Sequence, residues 1–184
     1  MNLKILQHSE VSLFAVYILE DFLSEQEHLL VTEEVKKCIQ EDNSLAHKTN
    51  VRAEMTSWES VLGRENLKFF FKKVADIVMI IYKMRDPSPN HEQNLTFFNS
   101  WAMKHNKNDY TKNHIHGSRM FSGSYNCLVP NSEQYMHFPD FMGNVQLKSN
   151  QLIFFHGLAK HSVNKNTSDK PRYSLAFNME IRSI

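Results

Sequence analysis

Several function classes are excluded by what this sequence has little of. Only two cysteines occur among 184 residues, Cys38 and Cys127. They are far apart and in unlike surroundings, which rules out a disulfide framework and a paired-thiolate zinc ribbon and points to a reducing compartment. Five glycines and five prolines form no linker that would split the chain, and no internal repeat or low-complexity tract is present. No apolar run is long enough to span a bilayer, and residues 1–12 lack the pattern of a signal peptide. Charge of one sign is missing too: 21 basic against 20 acidic residues leave a formal net charge of +1. Neither nucleic acid nor a membrane surface is therefore an expected partner. The expectation is a cytoplasmic soluble protein, with its oligomeric state left open.

What is present suffices for one core, with 41% hydrophobic residues in an ordinary globular composition. The apolar run at 13–19 reads as a buried strand. Ser24 and Glu27 have the spacing of a capping box, and Val31, Val35, Cys38 and Ile39 repeat behind it as a helix face that ends near Asp42. Residues 51–62 fit either a strand or an ordered loop. Residues 65–84 carry Leu67, Phe70, Phe71, Val74, Ile77, Val78 and Ile81 on one stripe, a helix that needs a sheet to pack on. It is stopped by Asp86-Pro87-Ser88-Pro89. From residue 95 onward the texture changes to short alternating segments: 95–103, 121–129, 135–138, 144–147, 151–155, 160–163 and 172–180. A polar loop is expected at 104–112. Many short strands with polar turns argue for a jelly-roll or barrel. The resulting plan is one α+β domain over 1–184, with strand and helix support at 1–90 and a jelly-roll core at 91–184.

Chemistry concentrates between Asn113 and Asn178. His114 and His116 flank one residue, so in extended chain both imidazoles lie on one side and can reach one ion at about 2.0–2.2 Å. His161 is the candidate third ligand. An HxH pair alone is a weak signal in a chain with ten histidines. His8, His28, His47, His91 and His105 read as surface residues; His137 and His156 are undecided, with His156 the better candidate for a group supporting the ligands. Eleven positions after His161 comes Arg172, with Ser174 on the same face of its strand. A guanidinium there pairs bidentately with a carboxylate, and the serine adds a donor. The plainer alternative is a structural arginine–carboxylate bridge at a sheet end.

The order of these pieces resembles the 2-oxoglutarate- and Fe(II)-dependent oxygenases, and within them the prolyl-hydroxylase type. The pieces are Trp101, Asn113-His114-Ile115-His116, Ser122-Gly123-Ser124-Tyr125, Ile153-Phe154-Phe155, His161, and Arg172-Tyr173-Ser174 through Asn178. Trp58-Glu59-Ser60 is similar to an element of the family's N-terminal half. The resemblance covers roughly residues 95–180 and implies a double-stranded β-helix, the cupin-like jelly-roll. It implies that His114, His116 and His161 ligate iron and that Arg172, helped by Ser174, holds the distal carboxylate of 2-oxoglutarate. Ser122 and Asn126 are implied contacts to the same co-substrate. The usual facial triad is two histidines and one carboxylate. His116 departs from it, and Asp109 and Asp140 are the carboxylates that could substitute. The implied reaction hydroxylates a C–H bond with O2 while 2-oxoglutarate is decarboxylated to succinate.

Two rival readings stand beside this one: a three-histidine cupin-type metalloenzyme that uses no 2-oxo acid, and a non-catalytic jelly-roll binding module. Tyr125, Trp101 and Phe154 are candidates to line the pocket, against the commoner use of aromatics in a core. The segments 104–112 and 131–144, with Trp58, are expected to frame the entrance. Lys104, Lys107, Lys112 and Arg119 lend it a basic tint that hints at an acidic substrate. Small molecule and peptide both remain open.

Overall fold

The structure, a computed structural model, describes residues 2–7, 15–85, 93–117, 121–140 and 143–183. Helix α1 (Glu25–Glu41) starts as the sequence requires. The Ser24 hydroxyl accepts from the Glu27 amide at 3.4 Å, and the Glu27 carboxylate accepts from the Ser24 amide at 3.0 Å. It ends where the Asp42 carboxylate accepts from the amides of Ser44 and Ser57, tying the helix end to the next segment. After a 3-10 turn at Glu65–Leu67, helix α2 (Lys68–Arg85) places Phe70, Phe71, Val74, Val78 and Ile81 in the same cluster as Val31, Val35 and Cys38 of α1. The breaker at 86–89 lies outside the described residues.

The strands are β1 (Asn2–Gln7), β2 (Ala15–Glu20), β3 (Val51–Arg52), β4 (Glu54–Met55), β5 (Gln93–His105), β6 (Tyr110–His114), β7 (Phe121–Leu128), β8 (Tyr135–Phe138), β9 (Gly143–Gln146), β10 (Gln151–His156), β11 (His161–Val163) and β12 (Arg172–Ser183). They form a seven-stranded sheet in the order β1-β2-β10-β7-β12-β5-β4 and a five-stranded sheet in the order β3-β6-β11-β8-β9, with every pairing antiparallel. This is the expected jelly-roll. Its N-terminal strands are woven into both sheets, with β2 lying between β1 and β10.

Strand alternation sorts the large sheet into two unlike faces. On β2 and β10, Tyr17, Leu19, Leu152 and Phe154 pack toward the helices. Their neighbours Val16, Ile18, Ile153 and Phe155 pack toward Met136, Phe138 and Val145 of the small sheet. On β7 and β12 the helix side carries Tyr125, Cys127, Leu175 and Phe177. The other side carries Ser122, Ser124, Asn126, Arg172, Ser174 and Ala176, all buried. The space between the sheets is thus closed by hydrocarbon at one end and lined by polar groups at the other.

One expectation about elements is corrected, and one strand was not foreseen. The polar segment 104–112 is not one loop. β5 continues through Lys104 and His105 because β12 pairs with it as far as Arg172 opposite His105. Only a short turn separates it from β6. The opening strand β1, which pairs with β2 along its whole length, has no periodicity that marks it in sequence.

Gly123 marks the tightest place in the helix-side core. A Cβ there would overlap the ring of Phe177, which is wedged among Phe70, Phe71 and Phe97 and has no room to move. Gly123→Ala is expected to cost about 1–3 kcal/mol by overpacking. Thermal unfolding should show it as a Tm lowered by roughly 2–4 °C per kcal/mol for a chain of this size.

Candidate metal centre

Three histidines meet between the sheets at the polar end. β6 and β11 pair so that His114 and His161 are direct Cα partners. His116 lies two residues past His114 on an extended continuation that its amide pins to the Gly157 carbonyl at 2.7 Å. The ligand atoms of His114, His116 and His161 all lie within 4.8 Å of one another. Nε2 of His116 and Nε2 of His161 are 3.3 Å apart. Two nitrogen–metal bonds of about 2.1 Å separate their nitrogens by about 3.0 Å at a right angle and about 3.4 Å at the tetrahedral angle, so the pair is spaced to share one ion.

The opposite edges of two of these rings are fixed. His161 Nδ1 is 2.9 Å from the Ala159 carbonyl and His114 Nδ1 is 2.8 Å from the Lys112 carbonyl. Donating there leaves each Nε2 with its lone pair turned inward, the usual arrangement of a ligating imidazole. Burial lowers the pKa of all three rings. It holds His161 well below the ordinary value, with the charges of His114 and His116 adding to the shift, and brings His116 down to about 3. All three therefore stay neutral, as ligation requires. Among the described residues the cluster contains no carboxylate. Asp109 accepts from the Asn106 amide, and Asp140 is exposed on a turn. Neither joins the site, so the departure at His116 stands.

The histidines open into a cavity with about 50 Å³ of water-accessible space. Every co-substrate contact expected from the sequence lines it: Arg172, Ser174, Ser122 and Asn126. Three are engaged with neighbours. Ser122 Oγ donates to Asn178 at 2.6 Å, and Asn126 Nδ2 donates to Gln151 at 3.0 Å. Arg172 is the largest fully buried side chain, 1% exposed. One nitrogen of its guanidinium donates to Gln134 Oε1, and Nη2 has no hydrogen-bond partner among the described residues. Among the described residues no carboxylate forms an ion pair with it. Desolvation pulls its pKa down to about 10, with only the nearby charge of Asp109 acting the other way.

Other expectations are redistributed. Trp101 lines the cavity, whereas Tyr125 and Phe154 sit in the helix-side core, Phe154 stacked on Tyr17 at 4.6 Å. His105, expected at the surface, is 1% exposed and lines the cavity. Extending the alternation of Trp101 and Met103 by one step would have found it. His47 is exposed as expected, and His28 is half-buried against Tyr125. His8 and His91 lie outside the described residues. His156 accepts from the Leu158 amide and does not line the cavity. Gln134, absent from the sequence reading, had no motif to reveal it. Beside the cavity runs an open groove bounded by Lys48, Arg52, Trp58, Phe98, Asn99 and Ile115. Trp58 frames the entrance as expected, but neither 104–112 nor 131–144 borders the groove; Thr111 and Met136 face the inner cavity instead. The basic tint is largely neutralised, since Lys104 pairs with Glu54 and Lys107 with Asp169, each at 2.7 Å. Arg119 lies outside the described residues.

Two outcomes follow from this geometry. His161→Ala removes the ligand common to both pairs, and equilibrium dialysis with Fe(II) under anaerobic conditions should show stoichiometric binding lost. The metal-free chain should also lose stability on acidification. The unfolded chain takes up protons at the ordinary imidazole value of 6.5, while buried His105 and His161 resist protonation until far lower pH. Each such group costs about 1.4 kcal/mol per pH unit below that value. Melts at pH 7.5 and 5.5 measure the drop, and a flat profile would contradict it.

No protein-family profile matches the chain, and no curated protein matches it in sequence. Its fold is nevertheless well represented among solved structures. A prolyl-4-hydroxylase of Pseudomonas putida superposes with a TM-score of 0.67 at 12% identity, over 90% of this chain and 91% of that one. The viral collagen prolyl hydroxylase of Paramecium bursaria Chlorella virus-1, in complex with 2-oxoglutarate, gives 0.62 at 14% identity over 92% and 96%. The non-haem α-ketoglutarate-dependent epimerase SnoN of nogalamycin biosynthesis gives 0.68 at 16% identity over 89% and 76%. The shared architecture is the double-stranded β-helix.

Proposed function

We propose that this chain is a non-haem Fe(II)- and 2-oxoglutarate-dependent dioxygenase that hydroxylates a C–H bond of a small-molecule or peptidyl substrate. The observation that carries this reading is Arg172, a buried cation without an ion-pair partner, facing the same cavity as three converging imidazoles. An unpaired charge so deep costs several kcal/mol, a cost that a bound carboxylate offsets. A 2-oxo dicarboxylate fits both features: one end chelates a metal and the other is an anion. The solved structures of the same fold that carry 2-oxoglutarate support the reading.

In this reading His114, His116 and His161 would hold iron through Nε2, the rings of His114 and His161 oriented by the Lys112 and Ala159 carbonyls behind them. Arg172, set by Gln134, takes the distal carboxylate, and Ser174 on the same strand face adds a hydroxyl. Ser122 and Asn126 border the co-substrate while held by Asn178 and Gln151. Trp101, Met103, Phe155 and Ala176 are apolar walls that keep water from the reacting end. Iron with 2-oxoglutarate and O2 supplies the oxidising chemistry, releasing succinate and CO2. The open groove at the cavity mouth receives the substrate. Two free, buried thiols suit a reducing cytoplasmic setting, and the near-zero net charge supports partners other than nucleic acid or membrane.

The three-histidine cupin reading has one observation in its favour, the missing carboxylate ligand. It leaves Arg172 without a purpose. The two separate on one variant. Arg172→Ala should weaken 2-oxoglutarate binding at least tenfold, the loss of about 1.5–3 kcal/mol from charged hydrogen bonds, with Fe(II) content unchanged. The anaerobic visible charge-transfer band and uncoupled succinate formation are the readouts. Iron binding with no response to 2-oxoglutarate in the wild type would sink the oxygenase reading.

A further inference from the structure

A second unmet donor stands beside Arg172. β5 and β12 pair with His105 directly opposite Arg172, and both side chains line the cavity. His105 is 1% exposed, its Nε2 is 3.1 Å from the Thr111 hydroxyl, and its Nδ1 has no hydrogen-bond partner. Two buried polar atoms on directly paired residues, His105 Nδ1 and Arg172 Nη2, are thus unsatisfied in one cavity. Buried polar groups are nearly always satisfied, so orphans clustered at one place mark where a ligand binds. Both can be donors, so that ligand is an acceptor.

We infer that His105, with its tautomer set by Thr111, is the second residue that binds the distal carboxylate of the 2-oxo acid, alongside Arg172. This rests on the oxygenase reading above and goes beyond it in naming a binding residue and a positioning residue. The Thr111 hydroxyl lies 3.1 Å from Nε2; with that hydroxyl as the donor, the ring proton sits on Nδ1, the atom without a partner among the described residues. Burial and the neighbouring Arg172 charge keep the ring neutral, so it acts as a hydrogen-bond donor and not as a second cation. Arg172 supplies charge; His105 supplies direction, fixing which oxygen of the carboxylate faces which strand. The arrangement selects a dicarboxylate over a 2-oxo acid that ends in a methyl group.

The test is anaerobic titration of the Fe(II)-loaded full chain with 2-oxoglutarate and with 2-oxopentanoate, which lacks the distal carboxylate. His105→Leu is expected to weaken 2-oxoglutarate about tenfold or more, while 2-oxopentanoate and Fe(II) bind as to wild type. His105→Asn, whose amide nitrogen falls near the place of Nδ1, should recover most of the loss. Thr111→Val keeps the ring but frees its tautomer, and should weaken 2-oxoglutarate by a smaller factor of about two to five; it carries the test if His105→Leu does not fold. Unchanged 2-oxoglutarate affinity in both His105→Leu and Thr111→Val overturns the inference. So does equal weakening of the two acids, or a His105→Asn variant no better than His105→Leu, since either makes the effect one of packing. Wild-type iron protein that ignores 2-oxoglutarate overturns the oxygenase reading and this inference together. A wild type that responds while the variants match it overturns this inference alone.

Discussion

A guanidinium held out of water is the constraint on which the site depends. Arg172 occupies a position that hydrocarbon would fill at lower cost, at the start of the strand that the rest of the large sheet is built around. β12 pairs on one side with β5 over nearly its full length and on the other with β7. A charge fixed at the first residue of so central a strand cannot swing out to solvent without opening the sheet. The fold therefore enforces the desolvation of this group. Gln134 holds the other side of the group and is itself fully buried, with its amide nitrogen bound to Asn131. A neutral amide satisfies a hydrogen bond without cancelling the charge, which leaves the cation free to attract an anion from the cavity.

The same alternation that makes a core on one face makes a site on the other. Paired positions on β12 and β5 read Arg172 with His105, Ser174 with Met103 and Ala176 with Trp101, and every one of these side chains lines the cavity. Between them Leu175 and Ala102 face the helices. A slip of one residue in register would exchange the two sets, burying the arginine among phenylalanines and exposing leucine to the ligand. The aromatic cluster of Phe70, Phe71, Phe97 and Phe177 thus guards the site indirectly, because it makes that slip prohibitively costly. Stability and function are held by one constraint, and Gly123, against which Phe177 packs, also lines the cavity.

How much of this was legible in the sequence depended on the kind of signal. The capping box at Ser24 and the stripe of α2 are local patterns, and both helices lie where the pattern puts them. Short strands such as β8 were readable because polar turns bound them. The convergence of His114, His116, His161 and Arg172 on one cavity was legible through order and spacing, since they lie on extended segments whose alternation fixes which way they point. What failed was non-local. β1 is a strand because β2 offers it an edge, and no residue within it says so. His105 looked like part of a charged loop because its neighbours Lys104 and Lys107 are charged, yet their ammonium groups are paired with Glu54 and Asp169 at the surface. The histidine between them points inward only because β12 extends the strand beneath it.

The missing carboxylate ligand and the buried arginine make most sense together. Two histidines and one carboxylate would bring a divalent ion to a local charge of +1 before any co-substrate arrives. Three neutral imidazoles leave it at +2, with Arg172 adding another positive charge within the same low-dielectric cavity. Charges of like sign in such surroundings repel strongly, so the assembled site favours a ligand with two negative charges at its two ends. A divalent ion held by three neutral imidazoles, His116 among them, would therefore place electrostatic demand on the incoming molecule. A monoanion would leave one of the two cationic centres unmatched, and a neutral ligand would leave both. The composition of the site, read as a charge balance and not as a motif, supports the dicarboxylate proposed for it.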